Sequence, residues 1–165
     1  MEITKILVPV DFSTCAAVAV AYAAELSRLL RATVQVLHVT HTEASSSNNG
    51  GGVEITTGRG NDAAKELERL VAAFRDEGYE IGSKLRLGRP VDEIIGEAAD
   101  GDYDLIVMGT RGNRGLTRLL SGSTTEAVLR RSTCAVVALR EGSHPCRTIL
   151  DQVDTAPERG DDFRR

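Results

Sequence analysis

The segment from Gly109 to Glu126 concentrates groups able to bind an anion. Gly109, Gly112, Gly115 and Gly122 are followed or joined by Ser121, Ser123, Thr124 and Thr125, with Arg111, Arg114 and Arg118 among them. Glycines let a backbone turn so that successive N–H groups converge, and a helix N-terminus adds a partial positive charge. Hydroxyls donate further hydrogen bonds, and guanidinium groups offset anionic charge. This is the chemistry of a phosphate site. The same stretch also reads as a capping box, with Ser123 as N-cap and Glu126 reaching back from the third helical position. The two uses are compatible.

Other chemistries find less support. The sequence has no G-x-x-x-x-G-K-[ST], and no G-x-G-x-x-G follows its first strand-like run. The Ser-Gly-Gly-x-Asp-Ser and His-x-Gly-His signatures of α/β families that consume ATP are also missing, which argues against a committed ATP-consuming transferase. His38 lies within an apolar run, His41 just beyond it and His144 near the end, and no Ser, Cys or carboxylate pattern selects any of them as a general base. Cys15 stands near an expected helix N-terminus, a setting that can activate a thiol, but its Ala-rich neighbours favour buried packing. With Cys134 and Cys146 it makes an odd set of 3 without metal-ligand spacing, read as reduced structural thiols.

Charge and composition bound the rest. Lys plus Arg number 20 against 24 Asp plus Glu, so the net charge of −4 provides no bulk basic field for nucleic acid, and any anion site must be local. A length of 165 residues suits one domain with a modest appendage. The apolar run Ala16 to Ala24 falls far short of the roughly 20 residues a bilayer requires. Met1 to Lys5 lacks the basic start and apolar middle of a signal peptide, so a cytoplasmic protein is expected.

The elements that must position these groups follow from periodicity. Ile3 to Pro9 is a β-branched run, and Asp11-Phe12-Ser13 then supplies polar groups where a helix can begin. Thr14 to Leu30 reads as an amphipathic helix, its larger apolar residues Val18, Tyr22, Leu26 and Leu29 recurring at helical spacing. Thr33 to Val39 is a second strand. Residues His41 to Asn61, with a Ser-Asn-Gly tract from Ser45 to Gly52, read as a mobile loop. Leu67, Leu70, Val71 and Phe74 mark a second helix that Gly78 terminates, and Glu80 to Leu87 is a third strand. Pro90 opens a helix with Val91, Ile94, Ile95 and Ala98 on one side. Tyr103 to Met108 and Thr133 to Leu139 complete the alternation, with a helix between them. Residues 141–165 lose periodicity and read as a disordered tail. Near-continuous apolar strands alternating with helices require an open parallel α/β sheet covered on both faces. In such sheets ligands bind outside the carboxyl ends of the strands, where strand order reverses.

Gly109, two residues, Gly112, nine residues, Gly122 and Ser123 spell G-x2-G-x9-G-[ST]. Together with Lys5-Ile6-Leu7-Val8-Pro9-Val10-Asp11-Phe12-Ser13, Asp104-Leu105-Ile106-Val107-Met108-Gly109 and Cys134-Ala135-Val136-Val137, this spacing resembles the nucleotide-binding members of the universal stress protein family over about residues 1–140. Ala135 stands where the family commonly has proline.

The resemblance implies a Rossmann-like five-stranded parallel sheet in the order 3-2-1-4-5. It implies an ATP site in which Asp11 faces the nucleoside beside Pro9 and Val10, the backbone of Val39 recognises adenine and Met108 packs near the adenosine. Gly109, Arg111, Gly112, Gly122, Ser123, Thr124 and Thr125 would surround the phosphates. ADP, AMP or a cyclic nucleotide could take the place of ATP, and Mg or Mn would bridge the phosphates. A homodimer through strand five and a regulatory or sensor role in stress response, with an unidentified protein partner, complete the expectation. The alternatives are a weak ATPase or an autophosphorylating enzyme using Ser121 or the loop serines, and a nucleotide-independent interaction module.

Overall fold

The computed structural model describes residues 2–40, 57–110 and 124–140. Nine elements alternate along these segments: β1 (Lys5–Val10), α1 (Thr14–Leu30), β2 (Thr33–Thr40), α2 (Thr57–Asp76), β3 (Ile81–Leu87), α3 (Pro90–Asp100), β4 (Leu105–Gly109), α4 (Thr124–Arg131) and β5 (Ala135–Leu139). All strand pairs are parallel, and the order is β3-β2-β1-β4-β5, as the resemblance implied. Helix α2 begins at Thr57, four residues before the loop expected from composition was to end at Asn61; the rest of that loop, 41–56, lies outside the described residues. The tail from Glu141, with His144 and Cys146, also lies outside them.

The sheet separates two apolar layers. Ile6, Val8, Val34, Val36 and Val107 pack against α1 and α2, while Leu7, Leu37, Ile106 and Met108 pack against α3 and α4. Each fully buried aliphatic side chain of this size contributes about 1.5–3 kcal/mol relative to exposure. Alternation of faces along strands flanked on both sides explains the near-continuous apolar runs.

Helix α1 keeps most of its expected face, with Val18 buried and Tyr22 and Leu26 packed on the core, but not Leu29. Leu29 is 82% exposed, whereas Ala16, Ala19, Ala23 and Ala24 are buried beside Val18 and Val20. Small side chains bring this helix close to the sheet and widen its inner face beyond the larger apolar residues.

Helix ends follow local chemistry. Gly78, at φ +83°, ends α2 with Tyr79 N donating to Phe74 O at 3.1 Å and Gly78 N to Arg75 O at 2.9 Å. This Schellman arrangement satisfies the last carbonyls, as the glycine predicted. Pro90 occupies the first turn of α3, where its missing N–H costs nothing. Beyond the layers, Glu97 of α3 is buried but receives Lys84 Nζ and Arg86 Nη1, each at 2.8 Å, which docks α3 onto β3.

Candidate functional site

The order reverses between β1 and β4, and there the ladder between the two strands stops short of their carboxyl ends. Thr33 N donates to Thr4 O, and Asp104 N donates to Lys5 O. Because strand residues alternate sides, Lys5, Leu7 and Pro9 turn their backbone groups toward β4, and Ile6, Val8 and Val10 toward β2. Pro9 therefore presents its nitrogen to β4 without a hydrogen to donate. The β1–β2 ladder continues to Val10↔His38, but the β1–β4 ladder ends at Leu7↔Ile106. The switch-point crevice that open α/β sheets use for ligands therefore falls between the carboxyl ends of β1 and β4.

The β1–α1 turn forms one side. Asp11 is exposed, and its Oδ1 accepts from Ser13 N at 3.1 Å. Ser13 caps α1 by accepting from Ala16 N at 3.2 Å. Between them Phe12 sits at φ +60°, a left-handed conformation that costs a non-glycine residue of order 1–3 kcal/mol and persists only when its surroundings hold it. Two contacts from β2 do so: His38 Nδ1 lies 2.8 Å from Val10 O, and its ring is 4.3 Å from that of Phe12 between centroids. A carbonyl only accepts, so Nδ1 carries the hydrogen.

The β4 side is built around Gly109. A Cβ there would lie 2.9 Å from both the carbonyl carbon and the oxygen of Cys15, so β4 meets the first turn of α1 at a distance only glycine allows without displacement. Gly109 O accepts from Thr125 Oγ1 at 2.9 Å, tying the first turn of α4 to the end of β4. Thr110 N donates to Leu139 O at 2.7 Å, and Cys15 Sγ lies 3.8 Å from the same carbonyl. Cys15 is buried, as its alanine neighbours indicated.

The fold therefore brings together Pro9, Val10, Asp11, Gly109, Thr124 and Thr125. Thr124 is exposed at the start of α4, while Thr125 is buried and donates its hydroxyl hydrogen to Gly109. Val39 ends up half-buried on β2, packed toward α3 and α4. Met108 is buried in the same layer with Leu37, Ile106 and Val128, so its side chain is taken up by the core. Arg111, Gly112, Arg114, Arg118, Gly122 and Ser123 lie outside the described residues, as does the N-cap of the expected capping box. Sequence reading gave His38 no place at this end of the sheet and assigned Gly109 only to ligand; the pairing of His38 with Val10 follows once β1 and β2 are aligned.

The two sides suit different chemical groups. An exposed carboxylate accepts hydrogen bonds from hydroxyls and repels phosphate, whereas the N-terminus of α4 attracts anions. The cleft is polarised along its length.

Comparison with known proteins agrees with this architecture. A sequence model of the universal stress protein family matches residues 2–140. Universal stress protein MJ0531 of Methanocaldococcus jannaschii is 28% identical over 142 residues, covering 83% of this chain and 82% of the relative. YxiE of Bacillus subtilis is 28% identical over 145 residues, covering 82% and 98%. The solved structure of MJ0577, also from M. jannaschii, superposes with a TM-score of 0.74 at 28% identity, covering 86% of this chain and 98% of that one. A universal stress protein from Archaeoglobus fulgidus, solved in complex with dAMP, gives a TM-score of 0.62 at 28% identity, covering 84% and 98%. The match across nearly all of the sheet and helices means that the chain belongs to the universal stress protein family.

Proposed function

We propose that the protein binds an adenine nucleotide, ATP by preference, across the cleft between β1 and β4, and acts as a nucleotide-responsive regulator. The observation that carries this reading is the polarity of the cleft: the Asp11 carboxylate at one side and the Gly109–α4 N-terminal junction at the other. A ribose hydroxyl suits the first and a phosphate the second. The glycine and hydroxyl spacing from Gly109 to Ser123 runs from the end of β4 to the residue before α4. The dAMP complex of the A. fulgidus relative supports the choice of adenine nucleotide. In this reading the backbone of Val39 meets the adenine, and Arg111, Gly112, Gly122, Ser123 and Thr124 serve the phosphates.

Among the described residues no group of three or more His, Cys, Asp or Glu converges as a metal site. Mg or Mn would be held chiefly by the nucleotide's phosphate oxygens, a common mode for Mg. Among the described residues strand β5 lies at the edge of the sheet, with Ala135 and Ala138 exposed, and such an edge suits pairing with a second copy. Among the described residues no helix is long and apolar enough to cross a membrane.

Calorimetric titration of the full chain tests the reading. ATP should bind with one equivalent per chain, and Asp11→Ala should raise its Kd about tenfold, equivalent to about 1.4 kcal/mol. The same substitution should leave the affinity for 2′,3′-dideoxy-ATP unchanged, because that analogue has no ribose hydroxyl for the carboxylate to hold. A wild-type chain that takes up neither ATP, AMP nor cyclic AMP would overturn the proposal.

A further inference from the structure

We infer that His38 is a positioning residue for nucleotide binding, acting through the β1–α1 turn that carries Asp11; the inference rests on the adenine-nucleotide reading above. His38 is half-buried on β2, directly opposite Val10 in the β1–β2 ladder. From there its imidazole touches the turn twice. Nδ1–H donates to Val10 O at 2.8 Å, fixing the last peptide of β1. The ring face lies against Phe12, 4.3 Å between centroids at an interplanar angle of 36°.

Phe12 needs such support because its φ of +60° lies where a side chain with a Cβ rarely rests. The Phe12 ring also packs on the layer between the sheet and α1, so His38 closes it in from the strand side. Asp11 is held between the two fixed points, Val10 before it and Phe12 after it. Its carboxylate also accepts the hydrogen bond from Ser13 N, within the same turn. Releasing His38 frees the strained residue to relax toward ordinary φ values, and that rotation moves the Asp11 carboxylate relative to Gly109 and α4. His38 affects the ligand through the direction of this carboxylate, without chemistry of its own.

Two substitutions separate donation from bulk. In His38→Asn the carboxamide nitrogen sits two bonds from Cβ, as Nδ1 does, and can still donate to Val10 O. In His38→Leu both the donor and the aromatic face are lost. Leu70→Ala, at a half-buried position on α2, which packs on β2 and β3, provides a control for loss of stability alone.

The expected result, by ATP titration and thermal unfolding of the full chain, is a Kd raised at least tenfold in His38→Leu. His38→Asn should recover to within threefold of wild type, and Leu70→Ala should bind like wild type while melting earlier. The inference is overturned if His38→Leu binds ATP as tightly as wild type, if His38→Asn is no better than His38→Leu, or if Leu70→Ala loses affinity in step with its stability. A wild-type chain that binds no adenine nucleotide would instead overturn the functional reading itself, and this inference with it.

Discussion

Gly109→Ala places a methyl group where β4 and α1 already touch. The new Cβ would stand 2.9 Å from the carbonyl carbon and oxygen of Cys15 and 3.0 Å from its Cβ. Ordinary carbon contacts lie near 3.5–4.0 Å, so one backbone must retreat by roughly 0.5–1 Å. The obstacle is mainlchain, and no rotamer change relieves it. Overpacking of this kind costs about 1–3 kcal/mol. The smaller unfolded-state entropy of alanine returns about 0.4–1 kcal/mol where the backbone is compatible, leaving a net loss of about 1–2 kcal/mol. In a chain of this length that corresponds to a fall in Tm of about 2–8 °C. Urea unfolding followed by circular dichroism should show the midpoint lowered with the slope m unchanged. A loss below about 0.5 kcal/mol, within the range of ordinary surface substitutions, would refute the close approach and leave Gly109 explicable only by its ligand.

Thr125→Val keeps the shape of the buried side chain but removes the donor to Gly109 O, and should lose about 1 kcal/mol in urea unfolding, with Thr125→Ser retaining most of it. Thr4 N, Lys5 N and Thr4 Oγ1 donate to Asp104 and hold its pKa below the ordinary value. A lowered folded pKa gives stability that is full above the ordinary value near 4 and is lost as pH falls through the folded one. The gap in unfolding midpoint between wild type and Asp104→Asn should therefore be widest near neutrality and shrink below about pH 4. Burial and then the hydrogen bond to Glu25 push the Tyr79 hydroxyl up to about 12. Its contribution is present below the ordinary tyrosine value of 10 and fades as pH rises from there through about 12. Tyr79→Phe should accordingly flatten part of the alkaline loss of stability, measured by unfolding between those limits.

The order of elements was legible because each boundary carries its own chemistry. Ser13, Gly78 and Pro90 cap, end and open helices for local steric and hydrogen-bonding reasons, and β-branched runs between them leave little choice of strand. Helix α1 misled only near its end: Val18, Tyr22 and Leu26 pack on the core as their spacing predicts, while the sheet selects Ala19 and Ala23 for closeness and leaves Leu29 in solvent. The start of α2 was hidden because Gly58, Gly60 and Asn61 are poor helix formers, and the helix gains stability from Leu67, Val71 and Phe74 farther along. At the cleft, residue types were readable but their partners were not. Thr125 looked like a phosphate donor in sequence, yet its hydrogen is directed to Gly109 O, a contact between residues 16 apart that no short spacing encodes. The contact of His38 with Val10 O likewise depends on strand register across 28 residues.

The two ends of the β1–β4 pair are built for opposite purposes. At the amino ends, Asp104 receives both backbone hydrogens of Thr4 and Lys5, Asp104 N returns a bond to Lys5 O, and Lys5 Nζ reaches Gly101 O at 3.0 Å. At the carboxyl ends Pro9 offers β4 no hydrogen, the ladder has already stopped, and Phe12 is held in a strained turn. A strand pair that opened at one end without an anchor at the other would slip in register, and a slip of one residue would exchange the faces of Ile6 and Leu7 between the two layers. The Asp104 clamp prevents that slip at the amino ends. Fixed there, β1 and β4 can part at Pro9 while Leu7 and Ile106 remain in register, so the cleft follows from where the sheet is clamped as much as from the residues that line it.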